Sequence, residues 1–180
     1  MAMPDSLTWQ SISGRMRITR PAYRDCLFVC KRLRPQDRAE VLATHWTDDA
    51  NELAQPIAFS QQELSWCILG MDGEPIALLG ANELWPGMWA PWAMATPRFA
   101  EIGWALTRFV KRTMIPRMVE LGFNRAECRT LESNVEAQRW LERLGAVRES
   151  ENPRVGKNNE TFYTYVFYPE NCGHALRPGR

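Results

Sequence analysis

The 180-residue sequence has little of what several functional classes require. It contains two histidines, and its 22 Lys and Arg side chains are almost balanced by 21 Asp and Glu, which leaves a net charge of +1. A near-neutral chain has no overall field that would hold nucleic acid or an anionic membrane, so no nucleic-acid specificity is expected. No apolar run approaches the roughly 20 residues that span a bilayer, so no membrane span is expected.

Cysteines are few, odd in number and scattered, with no second pair at metal-ligand spacing. This pattern predicts reduced, buried thiols and no metal site. No apolar segment follows basic residues at the start, so no signal peptide is expected. The content of 45% hydrophobic and 24% charged residues is typical of a soluble globular protein, and the length suits one domain. We expect a folded domain over residues 15–168, a polar arm over 1–14 and a polar tail over 169–180.

The strongest local pattern runs from Arg125 to Val147. Alternating residues at its start predict a half-buried strand. Ser133 or Asn134 then suits a helix N-cap, and the helix ends at Gly145, which tolerates a left-handed backbone. A second strand starts at the next two residues and predicts a terminal hairpin with the aromatic strand from Thr161 to Tyr168.

Apolar periodicity predicts the elements that precede this pattern. A short strand near Ile18 is followed by helices over 23–34 and 36–46, with Trp46 on the buried stripe of the second, and by a third helix through Leu53. Asp72-Gly73 between apolar runs predicts a hairpin with a return strand over 75–80. A long helix over 97–121 should be interrupted near Thr113 because Pro116 lacks a backbone N–H.

The segment from Leu84 to Trp92 holds three of the eight tryptophans and is interrupted by two prolines. Because proline cannot donate to a sheet ladder, the segment is expected to be an irregular loop before a strand near residues 90–95. Its rings either plug the core or form a pocket wall or a partner contact. A regular strand cannot turn Trp85, Trp89 and Trp92 all inward, so at least one should be exposed.

Two strings, L-E-S-N-x-x-A-x-x-W-L-E-R-L-G-A and D-G-E-P-I-A, resemble the GCN5-related N-acetyltransferase (GNAT) family. The resemblance implies an α/β fold, a GNAT-like single domain with a mixed central β-sheet flanked by helices on both faces. It also implies a V-shaped gap between the strand ending near Ala95 and the strand starting near Arg125.

The family resemblance further implies that acetyl-CoA phosphates bind at a Gly-containing turn opening the long helix. Gly103 and Ala105 match that turn, and with Asn134 they are the candidate cofactor-binding residues. Ala100 replaces the expected Arg or Gln, and Glu101 adds a carboxylate that would repel phosphate.

Catalytic residues of the family are also missing from the matching positions. Leu141 holds the place of the Tyr that protonates the leaving thiolate in many members. Neither Glu nor His stands on the strand over 90–95, so Glu83, acting through water, is the one candidate base if the protein is an enzyme.

A narrower resemblance adds L-R-P-Q-D-R-A-E, Leu33 to Glu40, and covers roughly residues 15–168. It is to a GNAT-like tailed-phage family, the internal virion (core) protein A family, whose phosphate turn is likewise degenerate. The segment otherwise suits a helix boundary carrying Asp37–Arg38 surface charge. The candidate partner contacts are Trp85, Trp89, Trp92, Arg34 and Arg38.

Two hypotheses follow from these residues. The first is a non-catalytic virion or assembly protein, made in the host cytoplasm, that contacts other virion proteins or itself and needs no cofactor. The second is an acetyl-CoA-dependent N-acetyltransferase with a divergent cofactor site.

Overall fold

The computed structural model describes residues 9–10, 16–59 and 63–172. Eight strands form one mixed sheet in the order β1-β2-β3-β4-β5-β6-β8-β7. Their bounds are β1 Trp9–Gln10, β2 Arg17–Thr19, β3 Ser65–Leu69, β4 Pro75–Trp85, β5 Met88–Ala95, β6 Arg125–Leu131, β7 Val147–Asn152 and β8 Phe162–Phe167. β5 and β6 run parallel, and the other neighbouring pairs of this described sheet are antiparallel.

Helices cover both faces of the sheet, as predicted. They are α1 Tyr23–Lys31, α2 Pro35–Thr44, α3 Ala50–Phe59, α4 Phe99–Phe109, α5 Ile115–Glu120 and α6 Val135–Leu144. α1 and α3 enclose one buried cluster with β3 and β4, whereas α4 and α5 enclose a larger one on the opposite face. The sheet therefore separates two cores.

Two described segments outside the predicted 15–168 contact the domain. β1 lies within the predicted arm and pairs with β2, and Cys172 of the predicted tail is 6% exposed in the larger core. The rest of the arm and residues 173–180 lie outside the described residues. The five cysteines are free, as predicted.

The long helix is interrupted where proline predicted it. α4 passes into a π-helical turn over Val110–Met114, and the N–H of Ile115 donates to the carbonyl of Val110, five residues earlier. Pro116, which has no N–H to donate, then sits in the first turn of α5. The π turn therefore absorbs the missing hydrogen bond without ending the helix.

Two expectations about tryptophans are wrong. Trp46 is fully exposed because α2 ends at Thr44, before the helical stripe reaches it. The segment over 84–92 is not an irregular loop: β4 and β5 pair from Ala77 to Trp85, and Pro86 and Gly87 form the turn, with Gly87 at φ +84°. Proline fits at the turn because its fixed φ suits the second turn position.

Pro91 fits inside β5 because its nitrogen faces away from β4. Its partner Ala81 donates its own N–H to Leu64 on the β3 side, so this pair forms no hydrogen bond across β4 and β5. The nitrogen of Pro91 thus points to the β6 side, where little pairing remains to be lost.

The predicted gap between β5 and β6 is confirmed. The two strands pair only through Met88 with Arg125 and Trp89 with Ala126. From there to Ala95 and Leu131 they diverge, and the gap widens toward the carboxyl ends of both strands.

Candidate ligand cavity between β5 and β6

A cavity of about 570 Å³ occupies the gap. Its walls come from the facing edges of β5 and β6, from α2 on one face of the sheet and from the π turn, α5 and α6 on the other. Most of the lining is apolar, with Met88, Met114, Phe123 and Leu141 among the residues. The volume is within the range of small-molecule sites, so the cavity can hold a ligand of modest size.

Backbone polar groups of both strands face this gap. Ala95 and Leu131 direct their N–H groups into it, because each donates to a side chain that lies there. The direction of the backbone N–H and C=O groups repeats every second residue of a strand, so Ala93 and Arg129 also present these groups toward the cavity. The edges therefore offer hydrogen bonds to an extended ligand between the strands.

The first turn of α2 closes the wide end of the gap on the β5 side. The Asp37 carboxylate accepts from the N–H of Ala95 at 2.7 Å, and the N–H of Arg34 donates to the Ala95 carbonyl at 2.9 Å. Arg34 also forms a 2.8 Å ion pair with Asp37 and lies 4.5 Å from the ring centre of Phe99. Both backbone groups of Ala95 are thus bound by this chain's own helix.

Glu40, one turn along α2, closes the β6 side. Its Oε2 accepts from the Leu131 N–H at 2.8 Å, the Thr130 hydroxyl at 2.7 Å and the Asn134 amide at 2.9 Å. Asn134 also caps α6 by accepting from the N–H of Ala137. α2 therefore bridges the two diverging strands with two carboxylates spaced by three residues.

Burial changes the pKa values of titratable groups in the cavity wall. Desolvation raises the pKa of Asp37 and of Glu40, and the hydrogen bonds from Arg34 and Thr130 respectively oppose that shift. Desolvation raises the pKa of Cys128 in the cavity wall to about 12, so its thiol stays protonated at neutral pH. The protonated thiol is a poor nucleophile, and both carboxyl groups of α2 accept hydrogen bonds that hold the two strands.

The N-terminal end of α4 is where the family resemblance places the phosphates of acetyl-CoA. Arg98, just before the helix, binds Asp72 at 2.7 Å, Glu74 at 3.0 Å and Glu101 at 2.8 Å. Three carboxylates on one guanidinium leave a local negative excess that would repel a pyrophosphate. Glu101 lies in the first helical turn itself.

The side of the cavity between α4 and α6 is filled by packed side chains. The indole N–H of Trp140 donates to Thr107 at 2.9 Å, and the Trp140 ring meets Phe99 edge-on at 5.9 Å. Leu141 lines the cavity and offers no proton to a leaving group. These side chains fill the space between α4 and α6, and the three carboxylates around Arg98 add negative charge at the start of α4.

The predicted cofactor and catalytic residues lie apart. Gly103 is inside α4, where an added Cβ would meet only Phe99 at 3.6 Å, so no close backbone approach requires glycine there. Ala105 packs against the larger core, and Asn134 lies in the cavity wall. Glu83 is exposed on β4 and accepts from the N–H of Gly87, away from the cavity.

The predicted partner contacts divide by exposure. Trp85 is 60% exposed, so the expectation that at least one of the three rings is exposed is confirmed. Trp89, by contrast, is a core residue at 4%, and Trp92 is half-buried in the cavity wall, donating to Asn82. Arg34 is engaged by Asp37 and Phe99, whereas Arg38 is exposed.

Sequence reasoning missed Asp37 and Glu40 as cavity residues. The interpretation of Asp37 as surface charge is wrong, because the residue is 5% exposed. The available signal was their spacing, since carboxylates three residues apart share one face of a helix. Across the described residues, no group of three His, Cys, Asp or Glu could hold a metal, and no helix there could span a membrane.

No protein-family model and no curated protein matches the sequence. Solved structures do match. A GNAT-family acetyltransferase from Bacillus anthracis gives a TM-score of 0.68 at 13% identity over 87% of this chain and 96% of its own. Ard1 from Thermoplasma volcanium gives a TM-score of 0.67 at 14% identity over 85% of this chain and 97% of its own.

A third match is yncA from Salmonella typhimurium, which was solved with its cofactor acetyl-CoA. It gives a TM-score of 0.61 at 16% identity over 86% of this chain and 94% of its own. Likeness at such low identity is a likeness of fold. The chain is a single α/β domain with the fold of the GNAT acetyltransferases.

Proposed function

We propose that the protein is a non-catalytic member of the GNAT-like fold that acts through contacts with other proteins. The observation that carries this proposal is the closure of the gap by α2. Asp37 and the N–H of Arg34 occupy both backbone groups of Ala95, and Glu40 occupies the N–H of Leu131. An extended ligand arm that paired with the ends of β5 and β6 would have to displace the helix.

Two further features support the absence of acetyl transfer. The carboxylates held by Arg98 lie where the phosphates would bind. A phosphate that displaced them would break their ion pairs with Arg98, and their negative charge would remain nearby. Leu141 supplies no acid, and burial keeps the Cys128 thiol protonated. These residues supply neither the tyrosine acid expected at position 141 nor a thiolate nucleophile.

Support for protein contacts comes from the tip of the β4–β5 hairpin. Leu84 and Trp85 are 53% and 60% exposed and directly precede the Pro86-Gly87 turn. Exposed tryptophans are rare on isolated surfaces and often anchor interfaces, where truncation costs about 2 kcal/mol or more. The tip is therefore the proposed contact, with another protein or with a second copy.

Placement in a tailed-phage particle rests on the sequence resemblance of Leu33 to Glu40 and its neighbouring strings. The acidic residues of this segment hold both strands of the gap, which gives its distinctive sequence a structural role. Mass spectrometry of purified particles tests the placement, and absence of the protein from them would refute it.

The test of the main proposal is calorimetry of the full chain with acetyl-CoA, alongside an assay for free thiol release. We expect no binding tighter than about 100 μM, roughly −5.5 kcal/mol. Tighter binding would reject the proposal in favour of the second candidate.

The second candidate is an acyltransferase with a divergent cofactor site. A specific observation favours it: the cavity of about 570 Å³ lies in the gap of a fold shared with acetyltransferases, one of them solved with acetyl-CoA. If this candidate holds, acetyl-CoA should bind, and Leu141→Tyr should raise thiol release by restoring a proton donor. If acetyl-CoA binds but Leu141→Tyr releases no thiol, the result would instead indicate a protein that binds acetyl-CoA without turnover.

A further inference from the structure

The outward sides of α4 and α6 carry basic side chains around one exposed tryptophan. The ring of Trp104 is 75% exposed. We define the basic surface as Trp104 with five exposed cations, namely Arg108, Lys111, Arg112, Arg139 and Arg143. None of the five forms an ion pair with another residue in the described part of the chain.

Helical spacing makes these side chains contiguous. Trp104, Arg108 and Arg112 recur every four residues along α4 and the π turn, so they follow one stripe about 12 Å long. The guanidinium of Arg143 lies 5.4 Å from the ring centre of Trp104, which joins α6 to this stripe. Arg139 lies one turn before Arg143 on the same side of α6.

The three carboxylates of α4 and α6 are outnumbered by these five cations. Glu101 pairs with Arg98 at 2.8 Å and Glu136 lies 3.5 Å from Arg34, whereas Glu142 accepts from the hydroxyl of Tyr165 at 3.1 Å and keeps its charge. The near-zero charge of the whole chain therefore conceals a local positive excess. A positive surface of this kind attracts polyanions at short range.

We infer that the basic surface binds single-stranded nucleic acid. Four of its five cations are arginines, whose planar guanidinium groups bind phosphate in pairs of hydrogen bonds. One side of the Trp104 ring is held by Arg143, and its wide exposure leaves room for an unpaired base to stack. An acidic protein segment would use the cations but would gain little from the ring.

This surface is distinct from the features of the proposed function. It lies on the α4–α6 face of the sheet, opposite α1 and α3, and away from the hairpin tip that carries Trp85. The inference therefore stands or falls independently of whether the protein transfers acetyl groups.

The experiment is fluorescence anisotropy of a labelled 12-nucleotide oligothymidylate, titrated with the full chain at several salt concentrations. Each neutralised phosphate contributes about 0.7 to the slope of log affinity against log salt for single strands. Arg108→Ala with Arg143→Ala should weaken binding and reduce that slope by about 1.4. The matched control, Arg20→Ala with Lys31→Ala, removes two exposed cations outside the basic surface and should leave the slope unchanged.

Trp104→Ala separates stacking from charge. Loss of base stacking should weaken binding about 5- to 150-fold while the salt slope stays constant. The substituted side chains are exposed, so circular dichroism and the melting temperature should match those of the native chain.

Four results would overturn the inference. The first is no binding at low salt. The second is equal affinity for a DNA duplex together with no effect of Trp104→Ala. The third is equal affinity for a polyglutamate peptide, which would assign the surface to an acidic protein. The fourth is full displacement of the oligonucleotide by micromolar coenzyme A, which would assign it to a cofactor.

Discussion

The carboxylate of Asp37 lies 2.7 Å from the backbone nitrogen of Ala95, across 58 residues of sequence. This bond ties the start of α2 to the end of β5, and the ion pair with Arg34 holds the carboxylate in place. Asp37→Ala would leave the N–H of Ala95 without its acceptor and the largely buried guanidinium of Arg34 with only the more distant carboxylate of Glu136, at 3.5 Å. We expect a loss of about 3–5 kcal/mol in the free energy of unfolding, measured by urea denaturation.

An exposed ion pair supplies the control for that measurement. Asp72 binds Arg98 at 2.7 Å, close to the 2.8 Å of the Arg34–Asp37 pair, but its side chain is 49% exposed. Asp72→Ala should therefore change stability far less than Asp37→Ala. Similar losses in both variants would mean that burial of the Asp37 pair contributes nothing.

Glu40 should make stability depend on pH. Burial raises the pKa of Glu40 in the folded state above its ordinary value near 4.5. Above pH 4.5 the unfolded chain releases this proton while the folded chain still holds it. The contribution of Glu40 to the free energy of unfolding is therefore complete below pH 4.5 and is lost as the pH rises through the raised pKa of the folded state. The stability of the native chain minus that of Glu40→Gln should accordingly fall with rising pH.

Urea denaturation at closely spaced pH values from 4 to 8 measures this difference. The other titrating groups are shared by both proteins, so their effects largely cancel. A difference that is constant or that increases with pH would contradict the assignment.

Two tryptophans four positions apart in the β4–β5 hairpin should respond in opposite ways. Trp89→Ala opens a cavity in the larger core and should cost about 3–5 kcal/mol. Trp85→Ala should leave stability within about 0.5 kcal/mol, because the ring is largely exposed, and should weaken association with a partner or a second copy. Analytical ultracentrifugation and unfolding curves separate the two effects, and unchanged association in Trp85→Ala would remove the hairpin tip as a contact.

Sequence reasoning predicted elements whose cause is local. The cap at Asn134, the stop at Gly145 and the interruption near Thr113 each depend on residues within one or two turns, and each is present. The gap between β5 and β6 followed from family resemblance, and the pairing confirms it.

What the sequence could not reveal depends on distant partners. Asp37 and Glu40 look like surface charges until α2 is placed across strands 58 and 91 residues away. Pro91 looks like a strand breaker until its nitrogen is known to face a gap, and Arg98 looks free until the β3–β4 turn brings Asp72 to it. Such errors arise because short-range patterns carry no information on which side of a sheet another element lies.

Two glycines provide the last prediction, because their surroundings differ. A Cβ on Gly80 would lie 2.7 Å from the ring of Trp92 and 2.6 Å from the carbonyl oxygen of Leu64, closer than atoms can approach. Gly80→Ala should therefore displace Trp92 from the cavity wall and cost about 1–3 kcal/mol. The change in tryptophan fluorescence should accompany the loss of stability.

A Cβ on Gly103 would meet only Phe99, at an ordinary 3.6 Å, inside a helix. Because alanine is the better helix former, Gly103→Ala should raise stability by about 0.5–1 kcal/mol. If Gly103 instead served the close approach of a cofactor phosphate, the same substitution would abolish acetyl-CoA binding. Unfolding curves and acetyl-CoA calorimetry on this one variant thus test whether the start of α4 is an ordinary helix or a degraded cofactor turn, and we expect higher stability with no change in binding.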